Sequence, residues 1–86
     1  MFVVYVLFSK TFNKIYIGYS SDLDARIFAH NHVSNKGWTK SFQPWNIVYT
    51  EKFDTKSLAM TREKQLKSAK GREFIKNIIS NNCDSF

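Results

Sequence analysis

The strongest constraint on the fold is the uninterrupted apolar run near the start of the chain, Phe2–Phe8 (FVVYVLF). β-Branched and aromatic residues dominate this run and favour a buried β-strand, because they pack well on a pleated surface. Ile15–Tyr19 alternates in a way that predicts a second strand. Since only the turn-like segment Ser9–Asn13 precedes it, the two strands are predicted to form an antiparallel hairpin.

A helix start follows the second strand at Ser20–Asp22 (SSD). We expect Ser21 to cap this helix, with Asp22 and Asp24 in the first turn, where carboxylates interact favourably with the helix dipole. The helix is predicted to end near Asn31. Its buried face is predicted from three apolar residues at helical spacing: Leu23, Ile27 and Phe28.

The segment His32–Pro44 has no periodicity and contains Gly37, so it is predicted to be a loop. A loop of this length in a compact domain more often has a function than serves only to connect two elements. Trp45–Phe53 then alternates and predicts a third strand. The apolar positions of that strand are Trp45, Ile47 and Tyr49.

Two further helices are predicted. Asp54 or Thr55 can cap the first, which we expect to run to about Lys70 and to be broken by Gly71. The apolar stripe of the second is Phe74, Ile75, Ile78 and Ile79. The fold class is therefore α+β: a small three-stranded antiparallel sheet flanked by helices, in the order β-β-α-β-α-α. We expect residues 1–80 to form a single domain and residues 81–86 to fray.

Composition excludes several classes of protein. The chain has 86 residues, of which 43% are hydrophobic and 16% aromatic, which suits one packed domain. A single cysteine, Cys83, can form neither an internal disulfide nor a cysteine-based zinc site, so we expect a reducing cytoplasmic setting. The apolar N-terminus lacks the features of a signal peptide and is far shorter than the ~20 residues that span a bilayer.

The net charge of +6 is unevenly distributed. From Lys56 to Lys76, seven basic residues stand against two acidic ones, and Lys36 and Lys40 add positive charge to the loop. Such a surface suits a polyanion, because lysine and arginine release counterions condensed on phosphates. The plain alternative is a solvated helix face that keeps the protein soluble.

The candidate chemical groups also have ordinary structural interpretations. Tyr5 and Tyr16 could be strand aromatics whose hydroxyls reach water, and His30 could lie on a helix surface. Asp22–Arg26 and Glu63–Lys67 are both at the spacing of a helical ion pair. The sequence has no credible Ser-His-Asp group, no glycine-rich phosphate loop and no paired histidines at metal-binding spacing. A magnesium ion held by one carboxylate and water stays possible, because such a site leaves almost no sequence signature.

The order of these groups along the chain carries more information than any of them alone. A tyrosine ends Val3-Val4-Tyr5, the triplet Tyr16-Ile17-Gly18 follows, and Arg26 and His30 lie one helical turn apart. A lone glutamate, Glu63, comes later within REKQLK. From Phe2 to about Ile79 this arrangement resembles the GIY-YIG nuclease family, in particular its small stand-alone bacterial members.

The resemblance implies a metal-dependent endonuclease that hydrolyses DNA phosphodiester bonds, with a role in DNA repair or recombination. The catalytic residues it implies are Tyr5, Tyr16, Arg26, His30 and Glu63, and Glu63 would hold one Mg²⁺ or Mn²⁺ ion. Two valines replace the glycine and isoleucine of the family's first motif, a departure that touches the strand rather than the chemistry. The late asparagine used by several family members has no assigned counterpart here.

We expect duplex or branched DNA to be the partner. The contacts predicted for it are Gly18, Lys36, Trp38, Lys40, Lys64, Lys67 and Lys70. Gly18 would allow close approach of the phosphate backbone, and the basic residues would give affinity without reading sequence. Family members often carry a separate DNA-targeting domain, so a protein partner could supply targeting here. Two alternatives stay open: a non-catalytic nucleic-acid-binding module and a domain that binds an acidic protein.

Overall fold

The computed structural model describes residues 1–32 and 37–81, apart from the side chain of Trp38. Its elements are β1 (Phe2–Ser9), β2 (Lys14–Ser20), α1 (Leu23–Asn31), a 3₁₀ helix (Trp38–Phe42), β3 (Asn46–Phe53), α2 (Lys56–Lys67) and α3 (Ala69–Asn81). This order confirms the predicted α+β fold. The predicted loop contains the 3₁₀ helix, and most of the predicted frayed tail lies outside the described residues. Within the described ranges, no helix combines the length and apolarity needed to cross a bilayer.

The sheet has the strand order β2-β1-β3, and both pairings are antiparallel. Asn13, at the turn between β1 and β2, has φ 53°, a left-handed conformation that asparagine tolerates better than most residues. In the first pairing Tyr5 lies opposite Gly18, a register that the site depends on. The pairing of β1 with β3 is irregular between Val6 and Leu7. The alternation predicted for β3 is wrong at Ile47, which is 43% exposed beside this irregularity.

The central strand β1 is covered on both faces, because its alternating side chains belong to two separate apolar clusters. Val4 and Val6 lie on the face covered by α2 and α3, with Ala59, Leu66 and Ile75. On the other face lie Tyr5, Leu7 and Trp45, packed against Tyr16, Leu23, Ile27 and Phe42. The helices therefore lie on both sides of the sheet: α1 covers one face and the α2–α3 pair covers the other.

The start of α1 differs from the prediction in its capping residue. Asp22, not Ser21, is the N-cap, and its Oδ1 accepts a hydrogen bond of 3.2 Å from the amide of Ala25. The predicted Asp22–Arg26 ion pair is wrong, because the Asp22 carboxylate serves the helix end instead. The prediction for Phe28 is also wrong: it is 68% exposed and its ring lies against His32.

The junction between α2 and α3 also differs from the prediction. Thr55 caps α2, as one of the two predicted caps, but α2 ends at Lys67 and not near Lys70. The Oγ of Ser68 accepts a hydrogen bond of 3.2 Å from the amide of Gly71, which lies inside the first turn of α3. The prediction that Gly71 ends a helix is therefore wrong. Glycine is needed here for the close packing of α3 against the end of α2. A Cβ at this position would lie 2.2 Å from the carbonyl oxygen of Gln65 and 2.4 Å from Leu66 Cα.

We expect Gly71→Ala to destabilise the fold by about 2 kcal/mol, since the new methyl group meets backbone atoms that cannot rotate away. At an ordinary helical position the same change would stabilise by up to ~1 kcal/mol, so the sign of the effect is diagnostic. Urea unfolding followed by circular dichroism measures it. Lys70→Ala, at the exposed neighbouring position, is the control and should stay within ~0.5 kcal/mol of the wild type. A Gly71→Ala protein at least as stable as the wild type would contradict this account.

Candidate active site

A groove of about 530 Å³ brings together residues from four elements, and we call it the candidate active site. Among its lining residues are Tyr5 of β1, Tyr16 and Gly18 of β2, Arg26 of α1, and Lys56 and Glu63 of α2. Four of the five predicted catalytic residues therefore share one surface, together with the predicted contact Gly18. Lys56 belongs to the basic run noted in the sequence, but nothing in its sequence context places it at this groove.

The groove lies at the free edge of β2. Arg26 and Glu63 come from helices that cover opposite faces of the sheet, so a groove lined by both must lie where the two faces meet. The presence of Tyr16, Gly18 and Ser20 in its lining identifies this edge as that of β2, an outer strand of the sheet. A ligand can therefore reach groups from both faces at once.

Gly18 is required by the two tyrosines. A Cβ at this position would lie 2.8 Å from the Tyr5 hydroxyl oxygen and 3.0 Å from Cε1 of Tyr16. The two phenol rings are stacked, with centroids 6.2 Å apart. The YIG triplet thus has a packing reason beside the predicted close approach of phosphate, because only glycine leaves room for both rings over the strand.

His30 lies behind the two tyrosines. Its Nε2 is 3.2 Å from the Tyr5 hydroxyl and its ring centroid is 4.6 Å from that of Tyr16. On the other side, Nδ1 lies 3.1 Å from the hydroxyl of Thr39, a residue of the 3₁₀ helix that is 5% exposed. The imidazole therefore connects the phenols to the loop, and Thr39 is a site residue that the sequence analysis missed.

The loop is held against the end of α1 by side-chain to backbone hydrogen bonds. Gln43 Nε2 donates to the carbonyl oxygens of His30 (2.7 Å) and His32 (2.8 Å), which a helix end leaves without helical partners. The Asn31 side chain bonds both the amide and the carbonyl of Trp45, and the Trp45 indole donates to the Thr39 carbonyl at 2.8 Å. These bonds fix the position of Thr39, and so of His30.

Burial is the main influence on the protonation states of Tyr5 and His30. It raises the pKa of Tyr5 to about 12, with Tyr16 and Glu63 acting in the same direction and Arg26 opposing them. Burial, followed by the charge of Arg26, lowers the pKa of His30 below its ordinary value. At neutral pH Tyr5 is therefore a protonated donor and His30 is neutral. A neutral imidazole has one donor and one acceptor nitrogen, so it donates to one of its two hydroxyl partners and accepts from the other.

Glu63 is placed where it could act as the single carboxylate ligand of a metal ion. Its side chain is 18% exposed and lines the groove, and its Oε1 pairs with Lys67 Nζ at 3.1 Å. The predicted Glu63–Lys67 ion pair is thus confirmed. Across the described ranges, no three His, Cys, Asp or Glu side chains cluster at a spacing that could hold a metal. A Mg²⁺ ion that keeps most of its water needs only one carboxylate, so these residues fit such an ion.

The predicted DNA-contacting lysines lie on different surfaces. Lys64 lines a groove with Lys56, Lys70 lines another with Arg62, and Lys67 lines a third beside Tyr16. Lys40 is exposed in the 3₁₀ helix. Lys36 and the side chain of Trp38 lie outside the described residues. DNA contact by these residues stays a prediction.

Comparison with known proteins agrees with the fold. The family model described as the GIY-YIG catalytic domain matches residues 1–77. The UPF0213 protein SSP2268 of Staphylococcus saprophyticus is 36% identical over 75 residues, which are 87% of this chain and 90% of that protein. The UPF0213 protein NP_0776A of Natronomonas pharaonis is 38% identical over 65 residues, 76% of this chain and 75% of that protein.

A solved structure gives the same result. The solution NMR structure of the UPF0213 protein BH0048 from Bacillus halodurans matches with a TM-score of 0.53 and 31% identity. The match covers 91% of this chain and 85% of that one. Fold, groove and comparisons together define a small GIY-YIG catalytic domain. The chain belongs to the GIY-YIG family, a family of nucleases.

We expect the His30 imidazole to titrate below the ordinary histidine value of about 6.5, because burial and Arg26 both disfavour its charged form. A pH series of NMR spectra of the imidazole protons measures this, with the signal assigned by its loss in His30→Gln. As the pH falls through ~6.5, the unfolded chain binds this proton before the folded one does, so the fold loses stability. A midpoint at or above the ordinary value would contradict the buried, neutral imidazole.

Proposed function

We propose that this protein is a metal-dependent endonuclease that hydrolyses DNA phosphodiester bonds. One observation carries the proposal: a guanidinium, two phenols and a carboxylate from four separate elements line a single groove. These are the groups that phosphodiester hydrolysis needs, namely an anion binder, proton donors and acceptors, and a ligand for a divalent cation. The membership of a nuclease family supports it further.

Arg26 would bind the scissile phosphate. Its planar guanidinium can bond two phosphate oxygens at once and favours the charge that develops on them in the transition state. The side chain is exposed and lines the groove, so it is accessible to a phosphate that enters there.

The two phenols would have different tasks. Tyr5 keeps its proton, with a pKa raised to about 12, and so acts as a donor that orients the phosphate or the attacking water. Tyr16 would take the proton of that water, because its phenol lines the same groove as Arg26 and Glu63. His30 contacts both rings and would hold them in place.

Glu63 would hold one Mg²⁺ or Mn²⁺ ion at the groove. When bound, that ion would supply Lewis-acid stabilisation of the leaving 3′-oxygen. The same carboxylate is paired with Lys67, so binding of the ion would replace or share this partner.

The biological setting we propose is DNA repair or recombination in the cytoplasm, on duplex or branched DNA, with a partner protein supplying targeting. The alternative, a nucleic-acid-binding module without catalysis, is favoured by one observation. Glu63 already has a cationic partner in Lys67, as a residue with a purely structural role would. Variants at the groove separate the two functions.

Purified protein with Mg²⁺ or Mn²⁺ should nick plasmid or branched DNA. We expect Glu63→Ala to abolish nicking, because the metal ligand is lost, and Arg26→Ala to slow it at least ~100-fold, because the phosphate loses its charged donor. Both proteins should still bind DNA. Gel assays over branched, flapped, nicked and single-stranded substrates, each with and without metal, measure cleavage.

The matched control is Glu73→Ala, which removes an exposed carboxylate of α3 and should cleave like the wild type. Equal cleavage by the wild type and Glu63→Ala would assign the activity to a contaminant. DNA binding without metal-dependent cleavage by any form would favour the non-catalytic module.

Tyr16→Phe removes one oxygen and leaves the ring that packs against His30 and Trp45. If this phenol is the proton acceptor, the cleavage rate should fall at least ~100-fold while the fold is kept. Single-turnover kinetics measure the rate. Tyr49→Phe, which removes a phenol oxygen bonded to Glu51 on β3, is the control and should stay near wild-type rate. Full activity in Tyr16→Phe would eliminate the general-base role.

A further inference from the structure

A second groove, of about 470 Å³, lies beside the candidate active site. Its lining includes Lys14 and Ile15 of β2, Lys67 at the end of α2, and Arg72 and Lys76 of α3. We call it the basic groove. Four of its side chains are cationic, and no carboxylate is among its lining residues in the described part of the chain.

Two residues make the basic groove continuous with the candidate active site. Tyr16 lines both grooves, and Lys67 lines the basic groove while its ammonium group pairs with Glu63 in the other. Strand β2 forms a wall of both, with Gly18 at the active-site end and Lys14 at the other. A chain-like ligand that enters one groove can therefore continue into the other along the edge of β2.

Apart from Lys67, which pairs with Glu63, no cation of the basic groove forms an ion pair within the described residues. Arg72 and Lys76 are like charges one turn apart on α3, an arrangement that destabilises a helix by a few tenths of a kcal/mol. The Arg72 Nε donates to the Lys67 carbonyl at 3.3 Å, which orients the guanidinium, and Lys14 Nζ lies 5.6 Å from the centre of the Phe42 ring. Neither contact neutralises charge, so an anion from outside the chain would relieve the repulsion.

We infer that the basic groove binds the sugar-phosphate backbone of the DNA strand on one side of the scissile phosphate. The inference rests on the proposed function for the identity of the strand. The four residue-to-residue steps from Gly18 to Lys14 span about 13 Å at ~3.3 Å each. That distance matches the rise of about four nucleotides at 3.4 Å.

Salt-dependent binding tests this surface directly. Fluorescence anisotropy of a labelled 20-base-pair duplex is measured in EDTA, where metal-dependent cleavage cannot interfere, over a series of salt concentrations. Each phosphate contact contributes about −0.9 to the slope of log affinity against log salt. We expect Lys76→Gln to make the slope shallower by ~0.9 and Lys14→Gln/Lys76→Gln by ~1.8. Both positions are exposed, and thermal melting checks that the variants fold.

The matched control is Lys52→Gln, an exposed lysine of β3 that lines neither groove, which should keep the wild-type slope. If the groove variants show the same salt slope of DNA affinity as Lys52→Gln, the inference is overturned. This holds even if Glu63-dependent cleavage shows that the protein is a nuclease. Conversely, shallower slopes without cleavage uphold the groove and reject the nuclease. Groove variants that weaken binding of polyglutamate but not of DNA would also overturn it, since they indicate an acidic protein ligand.

Discussion

The site depends on the burial of β1 on both faces. Because this strand lies between β2 and β3, the phenol of Tyr5 is anchored in the core, with the residue only 1% exposed, and its hydroxyl must find a partner inside the protein. His30 is that partner, and His30 in turn contacts Thr39 of the 3₁₀ helix. One buried polar group thus connects the central strand, the end of α1 and the loop. The geometry of the groove follows from the packing of the core.

The second constraint is charge balance at the edge of β2. Within the described ranges, Glu63 is the sole carboxylate that lines the candidate active site, while Arg26 and Lys56 supply positive charge and Lys67 pairs with it from the neighbouring groove. An anionic ligand would be attracted by the excess of positive charge, and it would compete with Glu63 for the cations around it. A divalent ion bound with the ligand would remove that competition, because it offers the carboxylate a stronger partner. In the proposed function, binding of the metal and binding of the phosphate would therefore favour each other.

Local rules were enough to predict the element types and their order, because the strand patterns, helix starts and turn residues act over a few positions. These rules failed at positions where contacts between elements determine the role of a residue. Phe28 has the spacing of the apolar helix face but is exposed to solvent. Gly71 is a residue type typical of helix ends, but here it allows α3 to pack closely against α2. Arg26 and Glu63, which the family resemblance implies as catalytic residues, do line one groove. The contact of Thr39 with His30, in contrast, has no local signal in the sequence. A threonine in an aperiodic loop gives no indication of what it bonds.

The departure of the first family motif can now be understood from the register. In Val3-Val4-Tyr5, side chains alternate between the two faces of β1, so Val4 points toward α2 and α3 and is fully buried there. Tyr5 points to the opposite face, toward Tyr16 and His30. The residue that replaces the family's isoleucine therefore changes the volume of one cluster without reaching the phenol. The position of the Tyr5 phenol depends on the glycine opposite it, since a Cβ at Gly18 would lie 2.8 Å from the Tyr5 hydroxyl oxygen.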